Sequence, residues 1–133
     1  MAGHVYGSPN GNPLGLYPPF VASFDDLNAD ELMSRGFLTG DIVKNPNEEA
    51  WNFADEDLKA LSMPIEFAPG NHDLKNYELY TRRYGPIGRY FFVDDDLFLI
   101  PEVQMDGWVI DQSQISFFNE LAAANQGLSL IHI

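Results

Sequence analysis

The chain has 133 residues, of which 45% are hydrophobic and 14% aromatic, a composition typical of one compact globular domain rather than of a disordered chain. Twenty acidic residues against seven basic ones give a formal charge of −13, which disfavours nonspecific binding to nucleic acids and to anionic membranes. Cysteine is absent, so disulfides and thiolate metal sites are excluded, and no apolar run is long enough to predict a membrane segment.

The N-terminal part predicts a loop followed by short helices. Residues 8–19 contain four prolines and two glycines, which predicts a loop. Residues 20–35 favour one or two amphipathic helical turns, and Asn28 is expected to cap a second short helix with Glu31 as its capping-box partner. Gly36 is then expected to end this helix before a buried strand.

A strand, a helix and a second strand follow. Residues 37–43, FLTGDIV, read as a short apolar strand that leads into a turn carrying Asp41. Asn47 stands before a predicted helix at residues 48–61, and Ile65–Ala68 is the second strand. Since a strand-helix-strand unit nearly always makes its strands parallel, both strands are expected to end at the same rim of an α/β sheet.

Residues 70–73, GNHD, form the most specific motif of the chain. A given tetrapeptide arises by chance in a chain of this length on the order of one time in a thousand. With Asp41, this motif brings a carboxylate, an amide oxygen and an imidazole to one rim, through Asp41, Asn71 and His72. Such ligands suit Mn, Fe or Zn. Each residue alone also has a structural explanation: Asp41 could cap a helix, Asn71 could stabilise a turn, and His72 could hydrogen-bond to a buried carbonyl.

The rest of the chain predicts a helix, a hairpin and another helix. In the helix at residues 75–84, Arg82 and Arg83 either clamp a phosphate or pair with surface carboxylates. Strands at Arg89–Val93 and at residues 97–101 are expected to form a β-hairpin around three consecutive aspartates.

The C-terminal end has two features. Asp111 is expected to cap a helix at Gln112–Ala124. Residues 128–133, LSLIHI, resemble the translation of a sequencing adaptor, so we predict a domain at residues 1–127 followed by an adaptor-derived artefact. A natural short tail is the alternative.

The pair of motifs at Gly40-Asp41 and at residues 70–73 resembles the calcineurin-like metallophosphoesterases. That family carries D-x-H, G-D, G-N-H-[D/E], a lone His and G-H-x-H in this order. The resemblance covers residues 3–124 and implies a partial αββα sandwich that lacks its first strand and is truncated at the C-terminus. It also implies hydrolysis of a phosphate-ester substrate.

The resemblance also implies roles for individual residues. Two divalent ions such as Mn, Fe or Zn would be bound, the first by His4, the second by Asn71, and both by a bridging Asp41. His72 would stabilise the developing charge or protonate the leaving oxygen, with Asp73 orienting it.

The first motif departs from the family pattern. Ala2 stands where D-x-H has its aspartate, and His4 fits the histidine. Residues 3–6, GHVY, could instead be compared with G-H-x-H, but this would need a permuted chain. The departure supports an alternative, a degenerate noncatalytic phosphoesterase-like binding or scaffold module. For the 133-residue chain itself we expect weak metal binding and little catalysis.

Overall fold

The structure is a computed structural model that describes residues 1–8, 11–104 and 109–133. Its helices and small sheets confirm an α/β protein, while the phosphoesterase-type sandwich and the predicted domain at residues 1–127 stay predictions. Contacts divide the chain into two compact units, Met1–Gly85 and Pro86–Ile133, where composition predicts a single core. The division falls where a glycine with a φ of 84° precedes a proline, a pair that ends the preceding helix.

In the residues that the structure describes, the first unit contains four α-helices, two strands and one 3₁₀ turn. They are α1 (Pro18–Val21), α2 (Phe24–Ala29), β1 (Gly36–Thr39), α3 (Glu48–Leu58), β2 (Ile65–Ala68), the 3₁₀ turn (Asp73–Asn76) and α4 (Tyr77–Tyr84). Within the described residues, no helix is both long and apolar enough to cross a membrane.

The predicted strand-helix-strand unit is confirmed. β1 and β2 pair in parallel, with Leu38 opposite Phe67. Asn47 caps α3, since its side chain accepts from the N–H of Ala50 at 2.8 Å. The helix ends at Leu58, three residues earlier than predicted, because the next three N–H groups bond to carbonyls three residues back and tighten the chain into a turn.

An aromatic cluster forms the core between β2 and the two longer helices. Trp51 of α3 is fully buried, and its ring centroid lies 5.9 Å from that of Tyr80 and 4.9 Å from that of Tyr84, both in α4. Phe67 of β2 lies 4.8 Å from Tyr84. Edge-to-face packing of this kind fixes the helices against the strand, and therefore fixes the turns at the strand end.

Asn28 does not cap a second helix, so that prediction is wrong. α2 begins at Phe24 and contains Asn28, whose side chain accepts from the N–H of Ser62 at 2.8 Å and donates to the Ala60 carbonyl at 2.8 Å. A backbone segment more than 30 residues away thus satisfies the amide that sequence reasoning paired locally.

The predicted loop at residues 8–19 is shorter than expected. Pro9 and Asn10 lie outside the described residues. Pro18 begins α1, a first-turn position where a missing N–H costs the helix nothing.

The two arginines of α4 pair with carboxylates, as one of the two readings predicted. Arg83 donates to Glu48 at 2.6 Å and to Asp55 at 2.7 Å, and Arg82 also pairs with Glu48. These ion pairs join α4 to α3.

The second unit is built on the predicted hairpin. β3 (Arg89–Val93) pairs antiparallel with β4 (Asp96–Ile100), and residues 97–100 of β4 are all buried. β5 (Val103–Gln104) and β6 (Val109–Ile110) form a second small ladder. Helix α5 (Gln112–Ala124) has the predicted bounds and cap, since the carboxylate of Asp111 accepts from the N–H of Ser113.

The last strand, β7 (Ser129–His132), pairs in parallel with β4. The sequence predicted no secondary structure for these residues. The adaptor interpretation concerns their origin and stays a prediction.

Candidate functional site

Two glycines bring the turns after β1 and β2 into contact. Gly40 has a φ of 92°, and a Cβ built on it would lie 3.1 Å from the Cα of Gly70. A Cβ on Gly70 would lie 2.5 Å from Oδ1 and 2.6 Å from the backbone nitrogen of Asp41. The backbones therefore approach closely enough to place Asp41 directly against the GNHD turn.

Asp73 ties the two turns together from inside. Its side chain is fully buried, with Oδ1 accepting from the N–H groups of Ile42 and Val43, both at 2.9 Å. Oδ2 accepts from the N–H of Gly70 at 2.8 Å. Both oxygens thus bond to backbone amides and join the two turns, and the orienting of His72 by Asp73 stays a prediction.

Burial and hydrogen bonding act in opposite directions on the charge of Asp73, and the effect of burial is the larger. Burial raises the pKa of the Asp73 carboxyl, and the three backbone N–H donors oppose this by favouring the carboxylate. The nearby charge of Asp41 adds a smaller upward contribution to this pKa.

Asp41 faces the open side of the rim and meets His4 there. Asp41 Oδ2 lies 2.9 Å from His4 Nδ1, and Oδ1 accepts from the N–H of His72 at 3.2 Å. Both Asp41 and His4 have left-handed backbones, with φ of 54° and 57°. Two such non-glycine residues in mutual contact mark local strain, which concentrates at functional sites.

The N-terminal segment runs beside β1 and delivers His4. The N–H of Ala2 donates to the Phe37 carbonyl at 2.9 Å, and the N–H of Thr39 donates to the Ala2 carbonyl at 2.8 Å. The N–H of His4 then donates to the Gly40 carbonyl at 2.8 Å. His4 is therefore positioned by backbone pairing with β1 and with Gly40, the residue before Asp41.

The ring of His72 is held by the first turn. Its Nδ1 lies 2.8 Å from the Lys44 carbonyl and 3.1 Å from Lys75 Nζ. Because a carbonyl oxygen only accepts, the contact with Lys44 needs the proton on Nδ1. Nε2 is then the ring nitrogen left for proton exchange.

Sequence reasoning missed two neighbours of these histidines. The ring of Tyr6 lies between them, with centroids 4.7 Å from His4 and 5.6 Å from His72. Tyr6 follows His4 by two residues, and Lys75 follows His72 by three, about one helical turn. Both spacings were available as signals, but neither residue belongs to the motifs.

Asn71 is the remaining predicted site residue, and its position in the chain places it at the same rim. It lies between Gly70 and His72, both in contact with Asp41, and its half-buried side chain makes no hydrogen bond with the described residues. The structure thus joins Asp41 directly to His4 and to His72, with Asn71 adjacent.

The donor chemistry of this rim fits a divalent ion. A carboxylate, an imidazole and an amide oxygen are available from Asp41, His4 and Asn71. In the part of the chain that the structure describes, no group of three or more His, Cys, Asp or Glu side chains is arranged to hold an ion. No protein-family model matches the chain, and curated proteins give no significant match.

Proposed function

We propose that this chain is a metal-dependent phosphoesterase of the dinuclear type, which hydrolyses phosphoric esters. One observation carries the proposal: Asp41 touches the imidazole of His4 and the backbone of His72, at the carboxyl ends of two parallel strands. The GD and GNHD motifs that supply these residues support it, because they resemble those of the calcineurin-like metallophosphoesterases.

In this proposal the residues of the rim have three different roles. Asp41, His4 and Asn71 would hold divalent ions such as Mn, Fe or Zn, which supply Lewis acidity and a bound water of lowered pKa. His72, with Nδ1 held by the Lys44 carbonyl, presents Nε2 to protonate the leaving oxygen. Asp73 keeps both turns in register, so that these side chains remain on one rim.

A second candidate is a noncatalytic phosphoesterase-like module that binds a partner or ligand. The observation that favours it is Ala2, which pairs beside β1 at the position where the resembled family has a metal-binding aspartate. A methyl group cannot bind an ion, so such a rim would hold fewer ions.

Metal binding distinguishes the two candidates. We expect the chain to bind Mn²⁺ or Zn²⁺ weakly and to hydrolyse a generic aryl phosphate slowly, with Asp41→Asn lowering both the affinity and the turnover by about a hundredfold or more. Calorimetry, metal analysis of the purified protein and the release of the aryl alcohol measure these quantities. Asp94→Asn is the matched control, because Asp94 also has a left-handed backbone, with a φ of 49°, but lies in the β3–β4 turn.

Each outcome selects one candidate. Two ions per chain with turnover that depends on Asp41 support the enzyme. At most one ion and no turnover support the module. Turnover that survives Asp41→Asn refutes the role proposed for this carboxylate.

A further inference from the structure

Tyr6 contacts the imidazole rings of both histidines of the candidate site. Its ring centroid lies 4.7 Å from that of His4 and 5.6 Å from that of His72, with interplanar angles of 49° and 42°. Both distances fall in the range at which aromatic rings pack against each other. Tyr6 itself is buried, so its ring is packed in place beside both imidazoles.

The backbone around Tyr6 is fixed independently of the two imidazoles. The N–H of Tyr6 donates to the Asp41 carbonyl at 3.2 Å, and an isolated antiparallel bridge joins Tyr6 to Leu16. The N–H of the next residue, Gly7, donates to the Gly15 carbonyl at 2.9 Å. Because backbone bonds to two different segments hold this part of the chain, the Tyr6 ring has a defined position that does not depend on the histidines.

Hydrogen bonds alone leave each imidazole some freedom to move. Nδ1 of His4 lies 2.9 Å from Asp41 Oδ2, but the side chain of His4 is 63% exposed. Nδ1 of His72 is held at the Lys44 carbonyl. A hydrogen bond at one ring nitrogen still permits the ring to turn about that bond, whereas a packing contact with the ring restricts this motion. The contact with Tyr6 supplies this second constraint for both histidines.

We propose that Tyr6 is a positioning residue whose ring holds the imidazoles of His4 and His72 in the orientations that metal binding and proton transfer require. This inference rests on the proposed function for the roles of the two histidines. The Tyr6 hydroxyl forms no hydrogen bond with the described residues, so we assign this role to the aromatic ring and not to the hydroxyl. A single side chain then orients both a metal ligand and the proton donor.

Two substitutions separate the ring from the hydroxyl. In Tyr6→Leu the aromatic ring is lost, and we expect Zn²⁺ to bind about tenfold more weakly, because partners that orient a metal ligand contribute about 10- to 100-fold to affinity. Tyr6→Phe keeps the ring and should bind Zn²⁺ within about twofold of the unmodified chain. Calorimetry measures both affinities.

NMR measures the orientation of the histidines without metal. Three-bond couplings of the β protons report whether the χ1 angle of each histidine is fixed or averaged over several rotamers. For His4 and His72 we expect fixed values in the unmodified chain and in Tyr6→Phe, and averaged values in Tyr6→Leu. In the unmodified chain, nuclear Overhauser contacts should join the Tyr6 ring to both imidazoles, a measurement that does not require Tyr6→Leu to fold.

Phe24→Leu is the matched control for the loss of a buried ring. Phe24 belongs to α2 of the same unit, and its ring packs on Phe20 at a centroid distance of 5.0 Å. The substitution should lower the free energy of unfolding, because a buried aromatic ring is replaced by a smaller side chain. It should leave the Zn²⁺ affinity and the couplings of both histidines unchanged.

Four results would overturn the proposal. The first is the absence of nuclear Overhauser contacts between the Tyr6 ring and the imidazoles. The second is a Tyr6→Leu chain with unchanged couplings and Zn²⁺ affinity. In the third, Tyr6→Phe weakens Zn²⁺ binding as much as Tyr6→Leu does, which would assign the effect to the hydroxyl. In the fourth, Phe24→Leu weakens Zn²⁺ binding equally, which would make the effect a general loss of packing.

Failure of this inference is distinguishable from failure of the proposed function. The function fails when Asp41→Asn leaves Zn²⁺ binding and turnover unchanged. The positioning role fails when the couplings of His4 and His72, measured without metal, do not depend on the ring at position 6, whatever the effect of Asp41→Asn.

Discussion

The rim has an inner layer that is buried and an outer layer that is more exposed to solvent. The inner layer is the fully buried carboxylate of Asp73, whose two oxygens accept from three backbone N–H groups. The outer layer is His4, Asp41 and His72, in which the side chain of His4 is 63% exposed and that of Asp41 15%. The strained backbones occur only in the outer layer of this pair. The comparison teaches that one short motif supplies both a buried carboxylate and a histidine at the rim, since Asp73 holds together the turns that carry His72 and Asp41.

Removing the inner carboxylate should give the largest loss of stability. Asp73→Ala leaves the N–H groups of Ile42, Val43 and Gly70 without their acceptor. An unsatisfied buried donor costs about 1–3 kcal/mol, so we expect a loss of about 3–5 kcal/mol in the free energy of unfolding, measured by urea denaturation. Asp73→Asn keeps one acceptor oxygen and should lose less.

The outer layer supplies the control for this experiment. Asp41→Asn keeps a side chain that tolerates a left-handed backbone, and it should change the free energy of unfolding by no more than about 1 kcal/mol. Similar losses for Asp73→Ala and Asp41→Asn would contradict the division into two layers.

Local elements of the fold could be read from the sequence. The strand-helix-strand unit follows from apolar runs, the cap at Asn47 and the acidic first turn of α3. α5 was predicted with its observed bounds because its cap, Asp111, and its apolar periodicity lie within one segment. These patterns need only neighbouring residues, and sequence reasoning handles them well.

Long-range hydrogen bonds could not be read in the same way. Asp73 accepts from Ile42, 31 residues earlier, and Asn28 accepts from Ser62, 34 residues later. An aspartate or asparagine can satisfy many partners, and only the packed structure selects one of them. The motif therefore placed Asp73 at the rim but did not reveal what its oxygens bind.

Filling the space between the turns should cost less than removing Asp73. In Gly70→Ala the new methyl group would lie 2.5 Å from Asp41 Oδ1 and 2.6 Å from its backbone nitrogen, so the turns must separate. We expect a loss of about 2–3 kcal/mol in the free energy of unfolding, together with weaker Zn²⁺ binding. Thermal and urea denaturation measure the first effect and calorimetry the second.

Gly88→Ala is the control for added volume. A Cβ at Gly88 would meet Oε1 of Gln114 and Cβ of Glu102, both at 3.3 Å, so these neighbours need to shift by only a few tenths of an ångström, far less than at Gly70. Its cost should not exceed about 1 kcal/mol. If Gly70→Ala is equally mild and leaves Zn²⁺ binding intact, then the two layers do not depend on close contact between the turns.

Loss of the α3 cap should have the smallest effect on the free energy of unfolding. It tests whether a local hydrogen bond, as well as the long-range ones of Asp73, positions the rim. Asn47→Ala removes the acceptor for the N–H of Ala50 and should cost about 1 kcal/mol of stability. Asn45→Ala, an exposed change two residues earlier, should stay within about 0.5 kcal/mol. Since Asn47 belongs to neither layer, Zn²⁺ affinity should be unchanged in both variants. A clear drop in affinity for Asn47→Ala alone would mean that the start of α3, and not only the carboxylate of Asp73, sets the position of Asp41.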